Sequence, residues 1–337
     1  MSVKHGSTRA AQWLATELGL RTMVHTGKDV YIIILSRFLR MFAYGAVALI
    51  LALYFREQGL SDDRIGLFMT LTLLGDVVIS LLLTLVADTL GRRRILLLGS
   101  LAMAISGAVF ATTSNYVGLL MAAIVGVISP SGNEIGPFRA VEESTLAHLV
   151  PEHQRADVYT WYVVIAMVGT STGLAVGGVA VDVLQAKEGQ NELNAYRAIF
   201  WIYTGVGLGN ALMTLFLSKE CEHKDWNDDH NTSTETEPLL NGNGHMEGPE
   251  PPAQSPTTKR PAKRFWHSIS TISKPSRLVL FKLCSLFFLD SLASGMVPFS
   301  LINYYMERKF DLAKGKLGGI MSATWCVPLC FYSFLQY

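Results

Sequence analysis

The chain has 337 residues, of which 50% are hydrophobic and 16% charged, and its formal net charge is +1. A soluble domain averages about 25% charged residues, and here charges are nearly absent from stretches long enough to cross a bilayer. The composition therefore excludes a soluble enzyme, a nucleic-acid-binding protein and a secreted disulfide scaffold as the main class of function.

Motifs for cofactors are absent from the sequence. The 4 cysteines have no metal-ligand spacing, and neither a P-loop nor a zinc-protease pattern occurs. We therefore expect no metal, no cofactor and no nucleic-acid partner.

Eight apolar stretches are predicted to cross a membrane. They are 31–55, 65–87, 95–114, 116–138, 158–181, 198–218, 278–306 and 315–337. Because most connections are short, neighbouring helices are expected to run antiparallel. Lys and Arg are more numerous on the side that carries residues 1–30, so this N-terminal tail is expected to be cytosolic. The plasma membrane and the vacuole both remain open as the target membrane.

Charged residues within the first two spans are candidate functional groups, because an ionised side chain at bilayer depth costs about 3 kcal/mol. Arg37 and Arg40 lie one turn apart on one helix face. Arg40 is the stronger candidate for a substrate or proton site, and Arg37 is expected to extend to the cytosolic surface. Asp76 in the second span is a further candidate.

A basic loop, DTLGRRR at residues 88–94, joins the second and third spans. Asp88, Gly91, Arg92 and Arg93 match the signature loop of the major facilitator superfamily, G-x-x-x-D-[RK]-x-G-R-[RK], and the chain resembles this family. The resemblance implies two bundles of six helices that move a small solute by alternating access. It also implies that Asp88 contacts the other half and helps to lock one conformational state. A positively charged turn without a gating role is the alternative.

Span four contains ISPSGNEIGPFRAVEES at residues 128–144, in which two prolines and a glycine interrupt the helix. Irregular backbone at membrane depth is tolerated where it is buried or lines a cavity. Asn133 and Glu134 are therefore candidate substrate or proton residues, unless the span ends at Ser129 and both lie in a loop. The segment also resembles poorly characterised fungal and bacterial members of the superfamily.

Span five carries a row of small residues. Gly169, Gly173 and Gly177 fall four residues apart, so that one helix face lets another helix approach closely. The stretch GLAVGG, which ends at Gly178, also resembles the antiporter motif of the superfamily, G-P-x-x-G-G, with Leu174 in place of proline. Close helix packing and proton-driven export are the two interpretations.

Residues 219–277 are rich in Asn, Asp, Glu, Ser, Thr, Gly and Pro, a composition that predicts a disordered cytosolic linker. The linker would separate a bundle of six helices at 31–218 from a second bundle that follows it. Within it, Glu235, Leu239 and Leu240 form an acidic dileucine pattern, which is either a sorting signal or a chance match.

Span seven resembles span one, since LRMFAYGAVALILALYFRE at 39–57 aligns with LDSLASGMVPFSLINYYME at 289–307. An internal repeat is the interpretation, and a chance match of two apolar spans is the alternative. The alignment pairs Arg40 with Asp290, which lies near the predicted midplane of its span. Two related halves that rock about a central site are typical of transporters. We therefore expect Arg40 and Asp290 to face each other across a central cavity, as an ion pair or as a substrate and proton site. A structural role for Asp290 is the alternative.

The sequence as a whole predicts an all-α integral membrane protein, with a bundle of six transmembrane helices and, at 278–337, the first two helices of an incomplete second bundle. The chain is expected to be a truncated form. The predicted activity is secondary active transport of a small solute, with coupling to protons left open. A non-transporting membrane sensor, or an inactive remnant of a transporter, is the alternative. We expect a monomer that contacts the lipid bilayer, a small-molecule substrate and protons.

Overall fold

A computed structural model describes residues 19, 22–23, 26–126, 128, 136–188, 192–218, 221 and 295–335, with some residues between 279 and 289. For 80–90, 136–137, 187–188 and 328–335 it describes the backbone alone. Two compact units divide the chain, one of residues 1–223 with 297–337 and the other of 224–296. The second unit is described only at helical residues between 279 and 296.

All regular structure in the described residues is helical, and they contain no β-strand. The helices are α1 (Lys28–Glu57), α2 (Asp62–Leu90), α3 (Arg92–Thr112), α4 (Tyr116–Gly126), α5 (Gly136–Leu149), α6 (Glu152–Glu188), α7 (Glu192–Leu215), α8 (Phe299–Phe310) and α9 (Lys314–Leu335). Of the helices that the structure describes, α1, α3, α6 and α7 are long and apolar enough to cross a membrane. The prediction of an all-helical chain is confirmed for these residues.

Short turns reverse the chain between α1 and α2 and between α2 and α3, so that these helices share two ends. At one end α1 leads into α2 through Gly59, whose φ of 79° is a left-handed conformation that glycine adopts readily. At the other end α2 leads into α3 through Gly91, with a φ of 88°. We call these the Gly59 end and the Gly91 end.

The fourth apolar stretch does not form one continuous helix in the described residues. α4 ends at Gly126, and α5 begins at Gly136 and continues to Leu149, beyond the predicted end of the span at residue 138. Pro137 is tolerated in the first turn of α5, where its missing N–H has no intrahelical partner to lose. The predicted count of six helices plus two is therefore not confirmed, and residues 139–149, expected outside the membrane helices, belong to a helix.

α1 lies at the centre of the first unit, in contact with α6, α7 and α8. Every residue of its second half from Ala43 to Phe55 is buried. A helix on a protein surface buries one stripe, whereas a helix that is apolar on all sides is expected in a core. The position of α1 therefore follows from its sequence.

Five aromatic side chains hold the core together near the Gly59 end. The rings of Phe55 and Phe68 are 4.3 Å apart, and those of Phe110 and Phe200 are 4.9 Å apart. Beside them, the buried hydroxyl of Tyr54 donates to the carbonyl oxygen of Phe110 at 2.6 Å. Each aromatic pair contributes about 0.5–1.5 kcal/mol beyond its buried area, so these contacts fix α1, α2, α3 and α7 against one another.

Glycines let α6 contact α1 on one face and α9 on another. A Cβ atom on Gly173 would lie 2.0 Å from the carbonyl oxygen of Phe42, and one on Gly178 would lie 2.3 Å from the carbonyl oxygen of Lys314. Any larger residue would push the helices apart. The helix α6 thus joins α9 to the first part of the chain.

The outer surface of the described helices is apolar. Large hydrophobic side chains are exposed on α2, α3 and α7, among them Leu74, Val77, Ile105 and Leu212. Water-soluble proteins rarely expose apolar surface as a continuous area, whereas a bilayer solvates it. The surface therefore agrees with the predicted membrane location.

Candidate functional site

The candidate site includes two arginines on α1. Arg37 and Arg40 are three residues apart, so both side chains leave the same face of the helix. Both are buried, with exposed fractions of 4% and 5%. Arg37 was expected to extend to the cytosolic surface; it lies inside the protein instead, because polar and aromatic partners there replace the water that a buried guanidinium loses.

Glu142 on α5 supplies the opposite charge. Its Oε2 accepts a hydrogen bond from Nη2 of Arg40 at 2.8 Å, and the two side chains are 2% and 7% exposed. The Nη1 atom of Arg37 lies 3.8 Å from the same oxygen. One carboxylate therefore faces two cations in the interior of the first unit.

Tyr162 on α6 completes what we call the buried ionic cluster: Arg37, Arg40, Glu142 and Tyr162. Its hydroxyl donates to Oε2 of Glu142 at 2.7 Å and accepts a hydrogen bond from Nη1 of Arg37. The guanidinium carbon of Arg37 lies 3.8 Å from the centre of the Tyr162 ring, and that of Arg40 lies 4.5 Å from the centre of the Phe138 ring. Desolvated cation–π contacts contribute about 2 kcal/mol each, so the rings help to hold both cations.

The cluster lies deep in the bundle, in the half nearer the Gly91 end. Arg40 is about 18 Å along the helix axis from Lys28, at 1.5 Å per residue. Glu142 is about 10 Å from the end of α5 at Leu149 by the same measure. An ionised pair at this depth is a functional candidate by default.

A small cavity adjoins Arg40 and Glu142. It has room for roughly one water molecule, and it is lined by Ile33, Ser36, Arg40, Leu96, Ser100, Glu142, Thr214 and Leu217. Hydroxyl groups and the ion pair give a water there the polar partners that it needs. In this conformation the cavity suits a water or a proton rather than a solute.

The buried ionic cluster can respond to a proton. While Glu142 is ionised, its negative charge offsets the charge of Arg40 at 2.8 Å. A proton on Glu142 would remove that charge and weaken the attraction of Glu142 to both Arg40 and Arg37.

A second buried acid lies near the cluster. Asp76 on α2, a candidate from the sequence, is 7% exposed. The buried ring of Tyr203 on α7 lies within electrostatic range of both Asp76 and Arg40. The structure therefore brings Asp76 and Arg40 to the same interior region.

Several predicted residues lie outside the part of the chain that the structure describes: Asn133, Glu134, Asp290 and the sorting pattern of Glu235, Leu239 and Leu240. The predicted pairing of Arg40 with Asp290 therefore stays a prediction. In the described structure Arg40 forms an ion pair with Glu142.

The basic loop contacts two other helices, α5 and α7, at the Gly91 end. Arg92 donates to the carbonyl oxygen of Ser144 at 3.4 Å, and Arg93 donates to that of Leu215 at 3.3 Å. Leu215 is the last residue of α7, and carbonyl oxygens in the last turn of a helix carry partial negative charge, which favours cations. The side chain of Asp88 lies outside the described residues, so its contact with the other half stays a prediction.

The glycines of span five lie on α6 where the helices approach closely. A Cβ atom on Gly169 would be 2.7 Å from the carbonyl oxygen of Phe38, and one on Gly177 would be 2.8 Å from Cα of Ala46. Together with Gly173 they form the face that contacts α1, while Gly178 contacts α9. The geometry is that of close packing, and the export interpretation stays a prediction.

Glu142 and Tyr162 were not among the site residues predicted from the sequence. The fourth span was predicted to end at residue 138, so Glu142 fell in the connection after it, but the buried residues Phe138, Val141, Glu142 and Thr145 recur at helical spacing. That periodicity was a signal that the helix resumes. Tyr162 offered no such signal, since a tyrosine in an apolar span is usually a packing residue.

Three comparisons relate the chain to known proteins. A sequence model described as Major Facilitator Superfamily matches residues 33–335. An uncharacterized membrane protein of the yeast Saccharomyces cerevisiae is 33% identical over 311 residues, covering 89% of this chain and 65% of the yeast protein. The quinolone resistance protein NorA of Staphylococcus aureus is 25% identical over 156 residues, covering 46% of this chain and 39% of NorA.

A solved structure shares the fold. The crystal structure of a D-xylose-proton symporter superposes with a TM-score of 0.59 at 16% identity, covering 91% of this chain and 68% of that one. The chain thus spans less than two thirds of the length of the two relatives that match it in sequence.

Proposed function

Because the chain belongs to the major facilitator superfamily, we propose that it serves secondary active transport of a small solute, with Glu142 coupling transport to protons. The superfamily consists of membrane transporters rather than enzymes. The observation that carries the proposal is the Arg40–Glu142 contact, 2.8 Å long and buried between membrane helices. Proton movement and helix movement are linked at this contact.

The link follows from the charge of the carboxylate. A carboxylate beside an arginine stays ionised, because the opposite charge favours the ionised form, and in apolar surroundings it binds a proton once that arginine moves away. Breaking the pair without a proton would leave a buried, charged Glu142 that has lost the nearer of its two cations, which is unfavourable. A state in which the pair is broken therefore binds a proton more strongly than a state in which it is made.

Helix α1 connects the pair to the interface between the two parts of the transporter. Asn303 on α8 donates to the carbonyl oxygen of Ala48 at 3.0 Å, about two turns along α1 from Arg40. A movement of α1 that follows a change in the contacts of Arg40 would therefore also displace the hydrogen bond to Asn303 on α8. We infer that Asp290, which the repeat aligns with Arg40, is the acid that accepts Arg40 once Glu142 is protonated.

The positions of Lys and Arg indicate which end of the transporter faces the cytosol. We infer that the Gly91 end faces the cytosol, because Lys and Arg are more numerous in the segments at that end. The cavity beside Glu142 lies toward that end, so the proton would exchange with the cytosol in the described conformation. The plasma membrane and the vacuole both fit this orientation, and the transporter is proposed to act as a monomer.

A quinolone is the first solute to test. The name of NorA refers to quinolone resistance, and the motif that ends at Gly178 resembles that of antiporters. Export of such a compound against an inward proton gradient is therefore one form of the proposed activity. A neutral sugar and a dipeptide serve as probes of other chemistry.

Reconstitution tests the proposal. The protein is placed in liposomes that contain a pH-sensitive dye, and proton movement is recorded when each probe is added on one side. We expect at least one probe to drive protons across the membrane in the presence of the protein. Glu142→Gln should abolish this proton movement while counterflow of the same solute persists, since counterflow needs no net proton transfer.

Glu143→Gln is the matched control, because Glu143 is the next residue on α5, is partly exposed and pairs with Arg139. It should behave as the parent protein does. Proton-coupled transport that survives in Glu142→Gln would show that another acid couples. Absence of movement for every probe would favour a non-transporting sensor or a remnant.

A further inference from the structure

The cavity beside Glu142 has an apolar level on the side of the Gly91 end. Three parts of the chain each place an apolar side chain toward that end and a hydroxyl side chain about one turn deeper. The pairs are Ile33 with Ser36 on α1, Leu96 with Ser100 on α3, and Leu217 just beyond α7 with Thr214 on α7. From the Gly91 end the apolar level therefore comes first and the hydroxyl groups follow. An apolar constriction of this kind resists hydration.

Two further side chains pack against the apolar level. Met23, which precedes α1 and is 8% exposed, belongs to the same buried apolar cluster as Ile33, Leu96 and Leu217. Cys221, which follows Leu217 by four residues and is fully buried, belongs to this cluster as well. Chain from before α1 and chain from after α7 thus meet over the same layer.

Hydrogen bonds hold the chain before α1 in this position. The N–H of Met23 donates to the carbonyl oxygen of Gly19 at 3.2 Å, which closes a short turn. The hydroxyl of Thr22 donates to Oδ2 of Asp157, near the start of α6, at 2.7 Å. The carbonyl oxygen of Met23 accepts a hydrogen bond from the hydroxyl of Tyr31 on α1. We call four described residues of this segment the N-terminal cover: Gly19, Thr22, Met23 and Thr26.

The contact with Asp157 is sensitive to charge. A Cβ atom on Gly19 would lie 2.7 Å from Cγ of Asp157, so the cover lies directly against this side chain. Thr22 and Asp157 are both partly exposed. A negative group at position 22 would face a carboxylate of like charge and be repelled. A change of one charge is therefore enough to release the cover.

We propose that the N-terminal cover is autoinhibitory: while it is docked on Asp157 and the apolar level, it closes the route from the cytosol to Glu142. The proposal rests on the proposed function, because it assumes that Glu142 exchanges protons with the cytosol. The described contacts of the cover are with the first part of the chain. Its release therefore needs no movement of α8 or α9.

Two thiols report whether the cover is docked. Cys221 is native and fully buried, and Ser100→Cys places a thiol in the cavity, where Ser100 is 2% exposed. A membrane-impermeant methanethiosulfonate is added to vesicles that expose the Gly91 end, and the labelling rate at each site is measured by peptide mass spectrometry. The remaining native cysteines are replaced by serine: Cys284, Cys326 and Cys330.

Releasing the cover should accelerate labelling at both sites. We expect Thr22→Val to raise both rates by about fivefold, the factor that corresponds to the loss of one hydrogen bond. Thr22→Glu should raise them further, whereas Thr22→Lys, which carries the charge opposite to Asp157, should label as the parent does. In an Asp157→Asn background the Glu and Lys variants should label alike. A general folding defect would not follow the sign of the charge at residue 22 in this way.

Thr172→Val is the matched control. Thr172 lies on α6 about 22 Å along the helix from Asp157, and its hydroxyl donates to the carbonyl oxygen of Val168 in the same helix at 2.8 Å. The substitution should leave both rates unchanged. The proposal is overturned if Thr22→Glu labels no faster than this control, or if Thr22→Lys labels as fast as Thr22→Glu. It is also overturned if Cys221 alone is accelerated, because the cover would then not close the cavity.

Labelling needs no solute, so the two proposals fail separately. Accelerated labelling at both sites without any transport supports the cover as the closure of the cavity and refutes the proposed function. Where a probe does drive protons in liposomes, Thr22→Glu should speed that proton movement. Proton movement equal to that of the parent, despite faster labelling, would overturn the autoinhibitory role and leave the proposed function in place.

Discussion

Replacing Glu142 by glutamine perturbs the buried ionic cluster with almost no change in side-chain volume. The substitution removes the negative charge that lies 2.8 Å from Arg40 and 3.8 Å from Arg37. It keeps one amide oxygen, which can still accept a hydrogen bond from Tyr162. Any loss of stability therefore reports the charge rather than the packing.

The expected magnitude follows from burial. Removing one partner of a buried ion pair costs about 3–5 kcal/mol, and the retained hydrogen bond returns about 1 kcal/mol. We therefore expect Glu142→Gln to lower the free energy of unfolding by about 2–4 kcal/mol. Pairing it with Arg40→Gln removes one of the two buried cations as well, so the double variant should be more stable than the sum of the two single effects predicts, by about 2 kcal/mol.

Unfolding in detergent micelles, followed by tryptophan fluorescence, measures these differences. Glu143→Gln is the control, because its partner Arg139 is exposed, and it should change stability by less than about 0.5 kcal/mol. The reasoning would be refuted if Glu142→Gln were as stable as this control. It would also fail if the losses of the two cluster substitutions simply added, since the two groups would then not interact.

Three further predictions use other features of the structure. Gly173→Ala should destabilise the protein by about 1–3 kcal/mol in the same assay, because the Cβ atom of the alanine would collide with the backbone of α1. Gly205→Ala is the control and should leave stability unchanged, because a Cβ atom there would have no other atom within 4 Å. Tyr162→Phe should destabilise by about 1–3 kcal/mol, because the hydroxyl between Glu142 and Arg37 is lost; an unchanged protein would mean that this hydroxyl is dispensable. The hydrogen bonds from Tyr304 and Arg308 lower the pKa of Asp62 below its ordinary 3.8, so the contribution of these contacts to the free energy of unfolding is complete above that pH and is lost as pH falls through the lowered pKa; a stability difference between the parent and Asp62→Asn that already shrinks at mildly acidic pH would contradict this.

The membrane helices were predictable because their signal is local. A run of apolar residues such as Ala43 to Phe55 has one stable outcome, since every backbone group must be bonded within the helix when no water is present. The turn at Gly91 was predictable for the same reason, because a φ of 88° is a property of one residue.

The break in the fourth span was also predictable, but the course of the chain after the break was not. Prolines mark where a helix is interrupted, yet they do not say whether the chain then leaves the membrane or starts another helix. The chain starts α5, and this choice brings Glu142 into the interior instead of leaving it in a loop. The burial of Arg37 followed from the same choice, because the cluster supplies its partners.

Composition and local pattern by themselves determined that this protein is helical, lies in a membrane and brings α6 close to another helix through its glycines. Only the tertiary structure decided which acid faces Arg40. Spacing along one helix decides which side chains share a face, but Arg40 and Glu142 are 102 residues apart in sequence, and their contact depends on how three helices pack together.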